Sequence, residues 1–170
     1  MRAYKAHCFN FNMTILGIDP GFDRLGWAVV KKQQGDFFVL NASLIQTKRE
    51  EDYQKRILQI GEKLDKIIAE YRPDGLAIEK LFLTKNQKTA LKVAEVKGVI
   101  IYLAAKANIS CFEFTPLEIK SAICGYGKAD KKQVQNALKF TLKNFISPKS
   151  DDVCDAIAVS LTCFFHTNSH

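Results

Sequence analysis

The chain predicts an α/β fold, a mixed five-stranded sheet with helices on both faces. Three observations carry this. Short apolar runs near the start sit between glycine-containing turns, the apolar period then changes to that of a helix, and strands and helices alternate afterwards. An opening meander pairs antiparallel, whereas β-α-β-α units bring strands into parallel, so the sheet must be mixed.

Residues 14–19, 26–31 and 37–45 read as the three opening strands, with Gln33-Gln34-Gly35-Asp36 as the hairpin tip between the second and third. Tyr53, Ile57, Ile60, Leu64, Ile67, Ile68 and Tyr71 then recur at helical spacing until Arg72-Pro73 stops the pattern. Residues 75–79 form the next strand, 89–106 a helix and 110–114 the last strand. Thr115-Pro116-Leu117-Glu118 combines a capping box with proline at the first helical position. After the break at Gly125-Tyr126-Gly127 a helix starts near Asp130, and beyond Pro148 a final helix carries Asp152 and Asp155.

At 170 residues and 47% hydrophobic, the chain suits one domain with a full core, placed at 13–167. Residues 1–12 match no element and read as an N-terminal extension, a loose tail or the product of an upstream start, with Met13 as the alternative beginning. The net charge of +7, or +5 without Arg2 and Lys5, fits a polyanionic partner. Cys8, Cys111, Cys124, Cys154 and Cys163 form no C-x-x-C pair, so they read as core filler in a reducing cytoplasm. No apolar run has the length of a membrane span, and a cytoplasmic protein without membrane contact is expected.

Carboxylates carry the chemistry. Asp19 and Glu79 each follow a short apolar run, where a buried strand presents a side chain at its end. Asp152 and Asp155 stand at i and i+3 near a helix start, share a face and lie at its positive end. Asp151 and Asp152 beside Ser150 could be simple first-turn acids. Asp155, facing a run of Ala, Ile, Val and Leu, would be costly without a partner. Four converging carboxylates repel one another unless protons or cations neutralise them, and all-oxygen donors favour Mg²⁺ or Mn²⁺ over Zn²⁺. Two such ions about 3.5 to 4 Å apart can serve one phosphodiester.

Gly17-Ile18-Asp19-Pro20-Gly21, Ala77-Ile78-Glu79 with Phe82, Lys85-Asn86, Ala90-Leu91 and Gly98-Val99, and the closing Asp152-x-x-Asp155-Ala156 resemble the RuvC family of Holliday-junction resolvases. The resemblance runs in order from Met13 to about His166. It implies a ribonuclease H-like fold and a homodimer that nicks four-way junction DNA symmetrically, leaving 5′-phosphate and 3′-hydroxyl ends. By matching position, Asp19, Glu79, Asp152 and Asp155 are the catalytic and metal-holding acids, with two Mg²⁺ per site and Mn²⁺ able to substitute. Phe82 matches an aromatic that wedges or stacks at the junction centre, where stacking contributes about 1 to 3 kcal/mol. Lys85 and Asn86 follow it into a polar loop on the DNA side, and Lys120 and Lys131 match lysines near the DNA path. Lys131, near a helix start, would lie where a phosphate also meets backbone N–H groups. RuvA and RuvB are the implied branch-migration partners.

Small residues Ala90, Ala94 and Gly98 at i, i+4 and i+8 let a second helix approach closely, and the resemblance makes that stripe the dimer interface. Packing within the chain is the alternative. Departures from the family pattern are Asp151, which competes with Asp152 as the acid paired with Asp155, the stretch Phe22-Asp23-Arg24-Leu25, and Lys80 after Glu79. The motif favours Asp152. An actin-like or sugar-kinase ATPase can also open with Gly-Ile-Asp-x-Gly, but it needs a second phosphate loop that is not visible. A junction binder that does not cut would gain little from acids facing DNA. A related nuclease acting on RNA or other branched DNA is the nearest competitor, because fold does not set substrate.

Overall fold

The computed structural model describes residues 12–80 and 87–167. Its elements run β1 (Asn12–Asp19), β2 (Arg24–Gln33), β3 (Asp36–Gln46), α1 (Tyr53–Tyr71), β4 (Gly75–Glu79), α2 (Gln87–Lys106), β5 (Ser110–Phe114), α3 (Pro116–Cys124), α4 (Lys131–Thr141) and α5 (Asp151–Thr167). The sheet order is β3-β2-β1-β4-β5. β1, β2 and β3 pair antiparallel, whereas β1 with β4 and β4 with β5 are parallel.

The opening strands extend past the predicted spans because polar residues continue the ladder beyond the apolar pattern. Asn12 pairs with Gln33 and Gln33 with Asp36, so β1 takes in one residue assigned to the N-terminal extension. Between β2 and β3, Gln34 (φ 53°) and Gly35 (φ 92°) both take positive φ. That is the geometry of a two-residue type I′ hairpin turn, whose twist matches its strands.

Side-chain alternation along β1 and β4 builds two cores. Leu16, Ile18, Leu76 and Ile78 face α1 and α2, where they meet Ile60, Leu64, Val96 and Ile100. Ile15 and Ala77 face the other way, toward Ala156, Ile157 and Val159 of α5 and toward α3 and α4. By the same two-residue period, Asp19 and Glu79 at the strand ends belong to the α5 side.

Two glycines let α5 lie directly on the sheet. A Cβ on Gly17 would stand 2.2 Å from the Ala156 carbonyl oxygen, and one on Gly26 would stand 2.0 Å from that of Asp152. Neither backbone oxygen can yield without moving the helix. α5 is therefore seated at its N-terminal half on β1 and β2, and Ser160 Oγ donates to the Ala28 carbonyl at 3.3 Å. α3 begins at its predicted cap and α4 at Asp130, near the predicted helix start. Thr115 and Glu118 make a reciprocal capping box, as do Asp130 and Gln133. Among the described residues Cys111, Cys124 and Cys154 are free, and no helix is long and apolar enough to cross a membrane.

Candidate active site at the ends of the parallel strands

Asp19 ends β1 and Glu79 ends β4, one position beyond the parallel pair Ile18 and Ile78. The two carboxylates thus leave neighbouring strands at the same level and on the same face. α5 starts over that face, with Asp151 and Asp152 in its first turn and Asp155 one turn in. Asp19, Glu79, Asp152 and Asp155 are all half-buried.

Their electrostatics are those of a crowded acidic site. Burial, then the charges of Glu79, Asp155 and Asp152, push the Asp19 carboxyl up to about 8. Burial and the charge of Asp155 push Glu79 up to about 7, against a pull from Lys120. Asp155 is also raised, by burial first, with Asp151 and Asp152 adding to it and Lys131 opposing. Each group carries a proton, or a cation beside it, more readily than a free carboxylate would.

The two remaining acids hold cations of the chain. Asp152 accepts from Arg24 Nη2 at 2.8 Å and from Ser150 Oγ at 3.1 Å. Arg24 also donates to Ser150 Oγ at 2.8 Å, closing a three-residue ring. Asp151 is more exposed and pairs with Lys131 Nζ at 2.8 Å. No three acid, histidine or cysteine side chains among the described residues close around a single point. The donor chemistry still fits a hard divalent cation. Three half-buried carboxylates lie within each other's field, and no ion pair holds Asp19, Glu79 or Asp155 among the described residues.

A cavity of about 170 Å³ opens beside the acids, between α3, α4 and α5, and is lined by Glu79, Asp155, Lys120 and Lys131 among others. Both lysines that the sequence singled out therefore reach the acidic site. The backbone at the start of α4 is a different matter. Asp130 already accepts from the Gln133 N–H at 2.9 Å, so that donor is taken by the capping box, and Lys131 Nζ is engaged by Asp151. The expected phosphate cradle of free N–H groups at this helix start is reduced accordingly. Phe82, Lys85 and Asn86 lie outside the described residues.

On α2, Val93, Val96, Ile100 and Leu103 pack inward, while Ala94 and Gly98 are exposed and Ala90 is half-buried. A Cβ on Gly98 would meet nothing within 4 Å. The small-residue stripe is thus not consumed by packing within the chain. Leu91 and Tyr102 are exposed on the same helix.

Sequence reasoning noted Arg24 only as a departure and overlooked Gly17 and Gly26 as the seats of α5. A signal was present for the glycines, since glycine inside a strand pattern marks a close backbone approach. For Arg24 there was none, because its contact with Asp152 spans 128 positions of chain.

This sheet order, with carboxylates at the ends of adjacent parallel strands and at the head of the helix laid across them, defines a ribonuclease H-like protein with an acidic site. The family model for crossover junction endodeoxyribonuclease RuvC matches residues 15–163. The chain belongs to the RuvC family. A crossover junction endodeoxyribonuclease RuvC of Petrotoga mobilis is 44% identical over 156 residues, covering 92% of this chain and 94% of its own. That of Ruminiclostridium cellulolyticum is 45% identical over 158 residues, with 93% of each chain covered. Among solved structures, T. thermophilus RuvC in complex with a Holliday junction substrate superposes with a TM-score of 0.86 at 27% identity, covering 91% of this chain and 94% of that one.

Proposed function

We propose that this chain is a structure-selective endonuclease that resolves four-way DNA junctions by symmetric paired nicking, in recombination and repair. The carrying observation is the cluster of Asp19, Glu79 and Asp155, half-buried carboxylates that no cation among the described residues pairs with, at the strand ends and overlying helix of a RuvC-family fold. A purely structural acid at such a depth would have an arginine or lysine against it.

Asp19, Glu79, Asp152 and Asp155 would hold two divalent cations, Mg²⁺ with Mn²⁺ able to substitute. Bound there, the ions supply positive charge at the scissile phosphate and neutralise the acids. The protein's own residues do the rest. Lys120 and Lys131 line the cavity at the acids and favour approach of a phosphate into an otherwise repulsive site. Asp152 is favoured over Asp151 as the fourth acid, because Asp152 acts on Asp19 while Asp151 points to Lys131. Arg24 must release Asp152 when that acid turns to the cluster. Water then displaces the 3′ oxygen in line, leaving a 3′-hydroxyl and a 5′-phosphate.

Phe82, Lys85 and Asn86 are proposed as junction contacts, the first by stacking. The stripe of half-buried Ala90 and exposed Ala94 and Gly98 supports a homodimer through α2, which would place two sites on two-fold-related strands. RuvA and RuvB are the proposed branch-migration partners, the domain is placed at 13–167, and the cytoplasm is the proposed location.

Cleavage of a synthetic immobile junction with Mg²⁺ tests this, with linear duplex and an RNA hybrid as controls. Paired nicks on the junction alone, abolished by Glu79→Gln while binding persists, are expected. A natural protein that binds the junction without nicking it under Mg²⁺ or Mn²⁺ would overturn the assignment.

A further inference from the structure

On the side of Arg24 away from the acids, a second and opposite surface begins. An open cleft of about 590 Å³ lies between the β1–β2 loop, the end of β3 and α1, and its charged lining is Arg24, Lys48, Arg49 and Lys63 against the single acid Asp23. Asp23 is already neutralised twice. Arg56 pairs with it from beneath, and Arg49 Nη2 reaches it at 2.8 Å, so its carboxyl is held below the usual range by Arg56 first. Arg24 is engaged by Asp152 and Ser150. Lys48 and Lys63 are exposed, and neither has an ion-pair partner among the described residues.

The floor of the cleft is built rigidly. Arg56 is 5% exposed, its guanidinium carbon lies 3.9 Å from the Phe22 ring centroid, and its Nε donates to Thr47 Oγ1 at 2.9 Å. Thr47 Oγ1 donates to the Phe22 carbonyl at 2.8 Å, and its N–H to the Asp23 carbonyl at 3.1 Å. The loop that follows Asp19 is thereby clamped to the start of α1. A rigid concave surface with two unpaired ammonium groups is suited to a phosphate, which a single acid already spoken for cannot repel.

We propose that this cleft is a backbone-phosphate subsite, which takes a phosphodiester of the DNA strand flanking the one held at the acids. It rests on the junction-nuclease function. Arg24 marks the boundary, since one guanidinium touches Asp152 and lines the cleft, so a strand whose scissile phosphate lies at the acids carries its neighbours past Lys48 and Lys63. These lysines contact substrate outside the chemistry. They set how tightly the strand is held and not how fast its bond breaks.

The test compares Glu79→Gln with Glu79→Gln/Lys48→Gln/Lys63→Gln for junction binding across a salt series, and parent with Lys48→Gln/Lys63→Gln for single-turnover cleavage at saturating protein. A Lys66→Gln/Lys139→Gln pair, also exposed, removes the same charge elsewhere. Loss of the cleft lysines should lower the salt slope by about 0.9 for each phosphate contact removed and weaken binding about three- to tenfold at low salt, with the saturated cleavage rate retained. A neutral methylphosphonate at the cleft-bound position should weaken the parent and leave the double variant unaffected. An unchanged slope, or an equal fall in the control pair, overturns the subsite. Absence of junction cleavage by the parent would instead sink the function itself.

Discussion

Asp19 and Asp23 stand four residues apart around one turn, and the fold treats them in opposite ways. Asp19 is half-buried among Glu79, Asp152 and Asp155 with no ion pair among the described residues, and its carboxyl is pushed up to about 8. Asp23 is gripped by Arg56 and Arg49 and is lowered instead. The difference separates two uses of the same side chain. A carboxylate that holds structure is satisfied by the chain's own cations, whereas one reserved for a ligand is left short of charge until that ligand arrives.

The largest expected effect is on activity. Asp19→Asn should lower single-turnover junction cleavage by about 10³-fold or more, and Asp23→Asn by less than about tenfold, since only the first is proposed to hold the cations at the reacting phosphate. Equal losses in the two variants would erase the distinction.

Stability in the absence of divalent cations should separate them next, with opposite signs. The unfolded chain gives up the Asp19 proton near 3.8 while the fold keeps it to about 8. The stabilising contribution is therefore full below the unfolded value and is lost as pH rises through that window. Melting with a chelator present should show the parent losing a few kcal/mol between pH 5 and pH 8, a flatter profile for Asp19→Asn, and recovery of the parent on adding Mg²⁺. A parent whose melting temperature rises across this range would contradict the assignment of Asp19 as an unpaired buried acid.

Asp23 should respond through its partner. Arg56→Ala removes a buried guanidinium from Asp23, Thr47 and the Phe22 face, and should cost about 2 to 3 kcal/mol, or about 5 to 10 °C in melting temperature. Arg56→Lys should recover part of the charge and little of the stacking. The smallest effect is expected at Lys131. Its pair with Asp151 is exposed on both sides, so Lys131→Gln should change stability by less than about 0.5 kcal/mol, and a thermal melt that moves by several degrees would mean the pair is more than a surface contact.

Much of this site was legible along the chain because its parts are local. Asp19 and Glu79 end short apolar strands, and Asp155 interrupts the apolar face of a helix, so each stood out within a few residues of its own neighbourhood. The elements were legible for the same reason, down to the capping box at Thr115, the helix start near Asp130 and the turn at Gln34-Gly35. The ends of β1, β2 and β3 were less so, because polar residues there are held by ladder pairing and carry no apolar period. Arg24 with Asp152, and Arg56 with Asp23 and Thr47, are pairs between distant segments that no spacing rule connects.

What the chain determined by itself was therefore the alternation of strand and helix, the two-residue period that sends Asp19 and Glu79 to one face, and a net basic composition. Tertiary structure alone decided which acids are left unpaired. Gly17 and Gly26 admit α5 close enough to bring Asp152 and Asp155 over the strand ends, and the β1–β2 loop then assigns Arg24 to Asp152 and Arg56 to Asp23. Charge balance at a buried group depends on distance through space, which the order of residues does not specify.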